Sequence, residues 1–276
     1  MTRETSFRSR WWLYLLLTIA LIVVITPFVW MVLGSVKTNA ELRQVPPTWL
    51  PEHPTLDNYT SLFSRLSFGR YFFNSTLVAV VVTASNLIFC SMVGYALVML
   101  NFRGKKVIFG LIIGTLMIPG VVTFVPLFVL VANLGLVDTL PGLFLPFLVA
   151  PFGVFLMRQF IMSLPRDLVE AARIDGAGEL AIFGRVILPL LGPAMATLGI
   201  LTFLGSWNNF LWPLVVAQTE NTYTLPVALA LVSTGQNQTE YGLLMAGATV
   251  VVLPVLIVFL LFQKRFIQGI ATTGMK

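Results

Sequence analysis

The spacing of charges constrains this chain more than any other feature. Six stretches contain no Asp, Glu, Lys, Arg or His: 11–36, 71–102, 107–137, 139–157, 186–219 and 241–263, of 26, 32, 31, 19, 34 and 23 residues. A helix needs about 20 apolar residues to cross a bilayer core, so each stretch supplies one span and none supplies two. The pattern predicts an all-α, polytopic membrane protein with six transmembrane helices. A seventh charge-free run, 221–239, has an apolar core of only 225–232. It is too short to cross and reads as a re-entrant or surface half-helix.

Composition supports lipid as the solvent. Charged residues make up 10% of the chain and hydrophobic ones 57%, against about 25% charged in a soluble domain. That excludes a disordered protein, an ordinary soluble enzyme and a nucleic-acid-binding tail. Cys90 is the single cysteine, so an internal disulfide and a Cys-based metal cluster are both excluded. It reads as a small buried hydrophobe. His53 is the single histidine and no metal site is assigned. The first apolar run is longer than the 7–15 residues of a signal-peptide core, and no small-residue cleavage site follows it, so it is predicted to persist as an anchor.

Lys and Arg placement sets the orientation. With six spans and both termini inside, the inner segments hold 13 of the 17 basic residues: Arg3, Arg8, Arg10, Arg103, Lys105, Lys106, Arg158, Arg166, Arg173, Arg185, Lys264, Arg265 and Lys276. The outer segments hold Lys37, Arg43, Arg65 and Arg70. The N-in, C-in arrangement follows, with Trp11, Trp12 and Trp30 suited to interfacial positions. Residues 1–70 read as an anchor helix plus an external loop rich in proline (Pro46, Pro47, Pro51, Pro54), and 71–276 as the core transmembrane domain.

No span carries an ionisable side chain, which counts against a proton- or ion-coupled carrier. No phosphate-binding G-x-x-x-x-G-K-[ST] loop exists either. Uphill transport would then need a separate energy-supplying subunit, docked on a large inner surface. One segment qualifies. The loop 158–185 carries eight charges, four of each sign. Ser163, Pro165 and Asp167 predict a helix start, Leu168, Val169, Ala172 and Ile174 an apolar pattern, and Gly176 with Gly178 a stop or sharp bend. A helix, a turn and a second helix are predicted. On spacing alone, a solvated connector without a partner stands equal to a docking element.

Glu170-Ala171-Ala172, then Gly176, then Leu188-Pro189 after nine further residues and one more pair, resembles the EAA signature of membrane subunits of binding-protein-dependent ABC importers. Val186 stands where isoleucine is usual. Asn74-Ser75, Gly94-Tyr95-Ala96, Met117-Ile118-Pro119, Pro151-Phe152-Gly153, Met157-Arg158-Gln159 and Trp207-Asn208-Asn209-Phe210 with Pro213 are similar to the carbohydrate-uptake branch, the smaller six-span permease of the maltose type, over about residues 11–276.

The resemblance implies a subunit of the bacterial cytoplasmic membrane, non-enzymatic and without a cofactor of its own. It implies a second, different permease, two ATP-binding subunits carrying ATP and Mg2+, and an extracytoplasmic solute-binding protein. It places a coupling helix between spans four and five, with Glu170, Ala171, Ala172, Asp175, Gly176 and Ala177 at the ATPase contact. Glu170 would touch that subunit, Gly176 would permit the bend, and Asp175 would hold the turn or the contact. The tail 268–276 resembles tails that reach toward the ATPase dimer.

For the cargo, Trp207, Asn208, Asn209, Phe210 and Trp212 offer stacking and hydrogen bonding to a neutral sugar; an interfacial aromatic belt is the other reading. Asn86 reads as an interhelical hydrogen bond, with a pathway contact as the alternative. Pro119 and Gly120 suit either a gate or a packing kink. A stand-alone facilitator and a permease for a glycerol-phosphate derivative remain as alternatives. A membrane-embedded enzyme has no clustered catalytic groups to support it.

Overall fold

The structure is a computed structural model and describes residues 11–65, 67–233 and 240–273; nothing is stated of the side chains of residues 65, 232, 233, 262 and 264–273. Arg3, Arg8, Arg10 and Lys276 lie outside the described residues, as do the end of the 268–276 tail and the end of the 221–239 run.

All regular structure among the described residues is helical. In chain order the helices are α1 Trp11–Ser35, α2 Asn39–Leu42, α3 Asp57–Arg65, α4 Phe68–Met99, α5 Lys105–Leu116, α6 Gly120–Asn133 and α7 Leu140–Phe144, continued by a 3-10 turn Leu145–Phe147. They continue as α8 Pro151–Met162, α9 Asp167–Ile174, α10 Glu179–Ile182, a π-helical turn Phe183–Ile187, α11 Leu188–Leu190, α12 Gly192–Trp207, α13 Leu211–Val216, α14 Leu225–Ser233 and α15 Tyr241–Thr273.

Three helices are long and apolar enough to cross a membrane alone: α1, α4 and the Tyr241–Leu261 stretch of α15. The other three apolar runs are broken. Lys105–Leu116 and Gly120–Asn133 meet at 103°, Leu140–Phe147 and Pro151–Met162 at 41°, and Glu179–Leu190 and Gly192–Trp207 at 81°. Among the described residues there are therefore between three and six candidate spans, and three of the runs are bent pairs rather than single rods. Proline explains where they break: it lacks an N–H and drives the preceding residue out of the α region. Pro119 is extended (φ −60°, ψ 132°) at the first break. Ala150 is extended (φ −93°, ψ 130°) before Pro151 at the second. Pro193 opens α12 at the third.

The chain divides into two compact units, residues 1–68 with 229–253, and residues 69–228 with 254–276. In the first, α1 is exposed nearly all round, from Trp11 to Val32, as expected of a helix whose apolar surface faces lipid. Its C-terminal end is fastened by polar groups. Asn58 donates to the carbonyls of Ser35 at 2.8 Å and Lys37 at 2.7 Å. Lys37 and Glu41 form an ion pair at 3.5 Å, with side chains only 3% and 5% exposed. Thr48 bridges the two: its hydroxyl accepts from Lys37 at 3.0 Å and donates to Glu41 at 2.9 Å. The proline-rich segment is thus ordered by a buried electrostatic knot.

In the second unit, α4 is the central rod. Asn74, Ser75, Val78, Val82, Asn86, Cys90, Gly94 and Val98 recur at three- or four-residue spacing and are buried, while Phe73, Val80, Ile88 and Phe89 are exposed. The small and polar face is turned inward and the apolar face outward, as close helix packing in a membrane demands. Two glycines set the approach of α8. A Cβ on Gly94 would lie 3.0 Å from the Arg158 nitrogen, and one on Gly153 would lie 2.7 Å from Cys90 Sγ. Both glycines belong to the segments that carried the family resemblance, and helix proximity is their physical reason.

The break before α8 leaves backbone groups without helical partners, and α4 supplies them. Asn86 donates to the carbonyls of Phe147 and Val82 and accepts from the Ala150 N–H, each at 2.8 Å. Ser85 donates to Leu148 O at 2.7 Å. At the far end of the unit, Asp138 has a positive φ of 57°. It accepts from the N–H groups of Gln218 and Thr219 and from the hydroxyls of Thr219 and Thr222. The Thr222 hydrogen bond above all holds its carboxyl down, from 3.8 to about 2.

Candidate functional site

The charged segment after α8 folds as helix, turn, helix. Ser163, expected to open the helix, instead closes α8: it is that helix's C-cap and donates to Phe160 O at 2.7 Å. The helix α9 begins at Asp167, with Asp167 and Glu170 in its first turn and Arg173 in its last, in the order the helix dipole favours. Gly176 follows at φ +80°, a left-handed conformation that a side chain would strain.

Three side chains lock the turn. Arg173 Nε donates to Glu179 Oε1 at 2.8 Å, and the Tyr95 hydroxyl donates to Glu179 Oε2 at 2.6 Å. Arg173 Nη2 also reaches Met99 O at 3.4 Å. The Arg173 hydrogen bond, then that of Tyr95, lowers the Glu179 carboxyl from its ordinary value. Beneath the lock lies an apolar cluster in which Val169, Ile182 and Ile187 from this segment join Tyr95, Val98 and Met157. The segment is therefore packed and hydrogen-bonded onto α4 and α8.

Of the six predicted contact residues, Glu170, Ala171, Asp175 and Gly176 are exposed, and Ala172 and Ala177 are half-buried against the apolar cluster. Apolar side chains stand out beside them: Ile174 is 86% exposed, Leu180 76% and Leu168 41%. Such a group of exposed apolar residues rimmed by charge is the composition of a docking surface. Sequence reasoning passed over Leu180 and Glu179. Leu180 carried a signal, being apolar within a charged segment. The Tyr95–Glu179 bond spans 84 residues and carried none.

A second feature is a cavity of about 360 Å³ between α4, the 3-10 turn, α8 and α12. Trp207 and Asn209 line it, as do Asn86, Ser75, Thr202 and Thr224, and no ionisable side chain does. The Thr224 hydroxyl is buried with no hydrogen-bond partner among the described residues. Trp207 stacks on Phe203, with ring centroids 5.7 Å apart. The amide of Asn86 is spent on backbone groups. The other predicted pathway residues are elsewhere. Asn208 is exposed, Phe210 is half-buried, and neither lines the cavity. Trp212 is a core anchor, 2% exposed, donating from Nε1 to Gly142 O at 3.1 Å between Phe124 and Phe147. Pro119 and Gly120 sit at the 103° bend and are exposed.

Comparison with known proteins places these features in a family. The family model described as "Binding-protein-dependent transport system inner membrane component" matches residues 86–272. The chain is 39% identical, over 100% of both chains, to the arabinooligosaccharides transport system permease protein AraQ of Halalkalibacterium halodurans. It is 30% identical to the sn-glycerol-3-phosphate transport system permease protein UgpE of Yersinia pestis, over 93% of this chain and 94% of that one. Among solved structures, a chain from a bacterial ABC transporter involved in import of the acidic polysaccharide alginate superposes with a TM-score of 0.85 at 26% identity, covering 96% of this chain and 100% of that one. With the fold, the family model and the relatives in agreement, the chain belongs to the inner membrane components of binding-protein-dependent transport systems, a family of ABC importer permeases.

Proposed function

We propose that this chain forms half of the pathway of an ATP-driven importer for a neutral sugar or sugar derivative, and that segment 158–185 couples it to a separate ATPase subunit. The observation that carries the reading is the two-sided character of that segment. Val169, Ile182 and Ile187 are clamped into the core, while Leu168, Ile174 and Leu180 stand exposed beside Glu170 and Asp175. Residues 1–70 serve as anchor and external loop and residues 71–276 as the permease core, with six spans, both termini inside and three of the spans bent. A second, different permease completes the pathway. Two ATPase subunits bind ATP and Mg2+ beneath it, and a solute-binding protein delivers cargo from outside.

Motion of the ATPases is transmitted through α9 and α10 to α4 and α8, which wall the cavity, and the pathway changes sides. The cavity lies toward the lower end of the roughly 300–1,000 Å³ range of small-molecule sites. Its tryptophan face, amide and hydroxyls suit a sugar. The name of the arabinooligosaccharide transporter agrees with that class, whereas the alginate transporter, named for an acidic polysaccharide, agrees only with a carbohydrate. A phosphate ester, the cargo named for UgpE, needs a cation, and no cation lines the cavity.

The test is Glu170→Ala and Gly176→Val in the assembled transporter. Both variants are expected in the membrane, with substrate-stimulated ATP hydrolysis reduced about tenfold or more, the effect of losing one charge-assisted hydrogen bond or its geometry. Undiminished coupling in both would refute the assignment.

A further inference from the structure

A second pocket, of about 280 Å³, lies between the ends of α4 and α8 and the start of α5. Its lining combines Lys105, Lys106, Arg158 and Arg166 with Leu97, Val98, Phe109 and Met162, and no carboxylate. Four cations around one hollow repel one another unless an anion sits among them. Arg158 makes the case sharper. Its guanidinium lies over the Phe109 ring, 3.8 Å from the centroid, and its Nε is buried with no hydrogen-bond partner among the described residues. A buried charged donor left unpaired is destabilising. The start of α5 adds the positive end of a helix dipole, with no acidic residue in its first turn.

We propose that this pocket binds the headgroup phosphate of an anionic phospholipid. The cations take the phosphate, and the apolar wall of Leu97, Val98, Phe109 and Met162 takes the glycerol and the first acyl carbons. Basic pockets between transmembrane helices on the cytoplasmic side have this chemistry. Assignment to the inner leaflet rests on the N-in orientation proposed above; the pocket itself does not. A bound lipid there braces α5 against α8 immediately before the coupling segment, so lipid composition tunes transport. Free inorganic phosphate shares the headgroup chemistry but has no use for the apolar wall.

The experiment purifies the assembled transporter with phosphatidylglycerol and phosphatidylcholine in equal amounts and reads retained lipid by native mass spectrometry. The wild type is expected to retain phosphatidylglycerol preferentially. Arg158→Gln, and separately Lys105→Gln with Lys106→Gln, are expected to lower that preference about tenfold each, one charge-assisted contact's worth. The lysine pair covers the case in which Arg158→Gln fails to assemble, since Lys106 is exposed. An unselective wild type, an unchanged preference in the variants, or displacement of the lipid by millimolar inorganic phosphate overturns the proposal. Orientation is read separately: an impermeant maleimide that labels Lys106→Cys from outside the cell overturns the inner-leaflet assignment and the topology together, whereas the retention ratios test the pocket alone.

Discussion

Two ion pairs in this molecule use the same chemistry in opposite settings. Lys37–Glu41 is at 3.5 Å with side chains 3% and 5% exposed. Arg173–Glu179 is closer, at 2.8 Å, but its side chains are 40% and 43% exposed. Distance alone would rank the second as stronger. Solvent reverses the order: water screens the exposed pair, whereas removing one member of the buried pair strands a charge in a poor dielectric. The first pair is a fastening that orders the segment after α1. The second sets the geometry of a turn that must stay presentable to a partner, and the less solvated link there is the Tyr95 hydroxyl.

That contrast can be broken in two ways, and a third carboxylate, outside both pairs, sharpens it. The largest effect is expected from Lys37→Met, which leaves Glu41 buried without its cation. The loss is read as a large drop in the thermal midpoint of the purified complex. The double change with Glu41→Met should recover most of it. If the single variant matches the wild type, the knot is not a fastening.

Next comes Tyr95→Phe, which keeps the ring and removes one hydrogen bond to a carboxylate. About 1.5 kcal/mol is expected, with Arg173→Ala smaller because that pair is exposed. The thermal midpoints of the two variants decide the order, and the reverse order would place the lock on the salt bridge.

The smallest effect is a pH dependence. The folded-state carboxyl of Asp138 lies below its ordinary value, 3.8 lowered to about 2. Its contribution is present in full above about pH 4 and fades as pH falls through 2. Asp138→Asn should lower stability at neutral pH, where the carboxylate contributes, leave the most acidic pH little altered, and so flatten the profile in that window. An acid limb identical in variant and wild type would remove Asp138 from the account.

Much of the architecture was legible because hydropathy reports a transfer free energy, and that quantity adds up along the chain. All six charge-free runs are the apolar helical material of the structure, and Cys90 is buried as read. The bends were invisible to the same measure. A broken pair and a straight rod have the same composition, and only Pro119 with Gly120 was read as a place for a kink, whereas the bends before α8 and α12 were not. The helix–turn–helix at 167–182 was readable from Asp167 and Gly176, but Ser163 was misassigned. A serine after one helix and before another suits either end, and hydrogen bonding to Phe160 decided for the first.

The neutral cavity was only half legible. Trp207 and Asn209 line it while Trp212, five residues on from Trp207, is packed into the core. The difference arises because α12 ends at Trp207 and α13 restarts at Leu211, and helical periodicity is not carried across the break. The basic pocket was wholly hidden, since Lys105, Lys106, Arg158 and Arg166 had entered the reading as orientation signals, loop charges and, for Arg158, a motif position, never as one cluster.

The order of residues alone dictated which stretches are apolar enough to enter lipid, where charge gathers and which motif the charged loop carries, because each depends on neighbours in the chain. The fold alone decided that Asn86 repairs the break before α8, that Tyr95 fastens Glu179 and that four cations from three segments share one hollow. The first two depend on groups 61 to 84 residues apart meeting at hydrogen-bond distance, and all three exist only once the helices have packed.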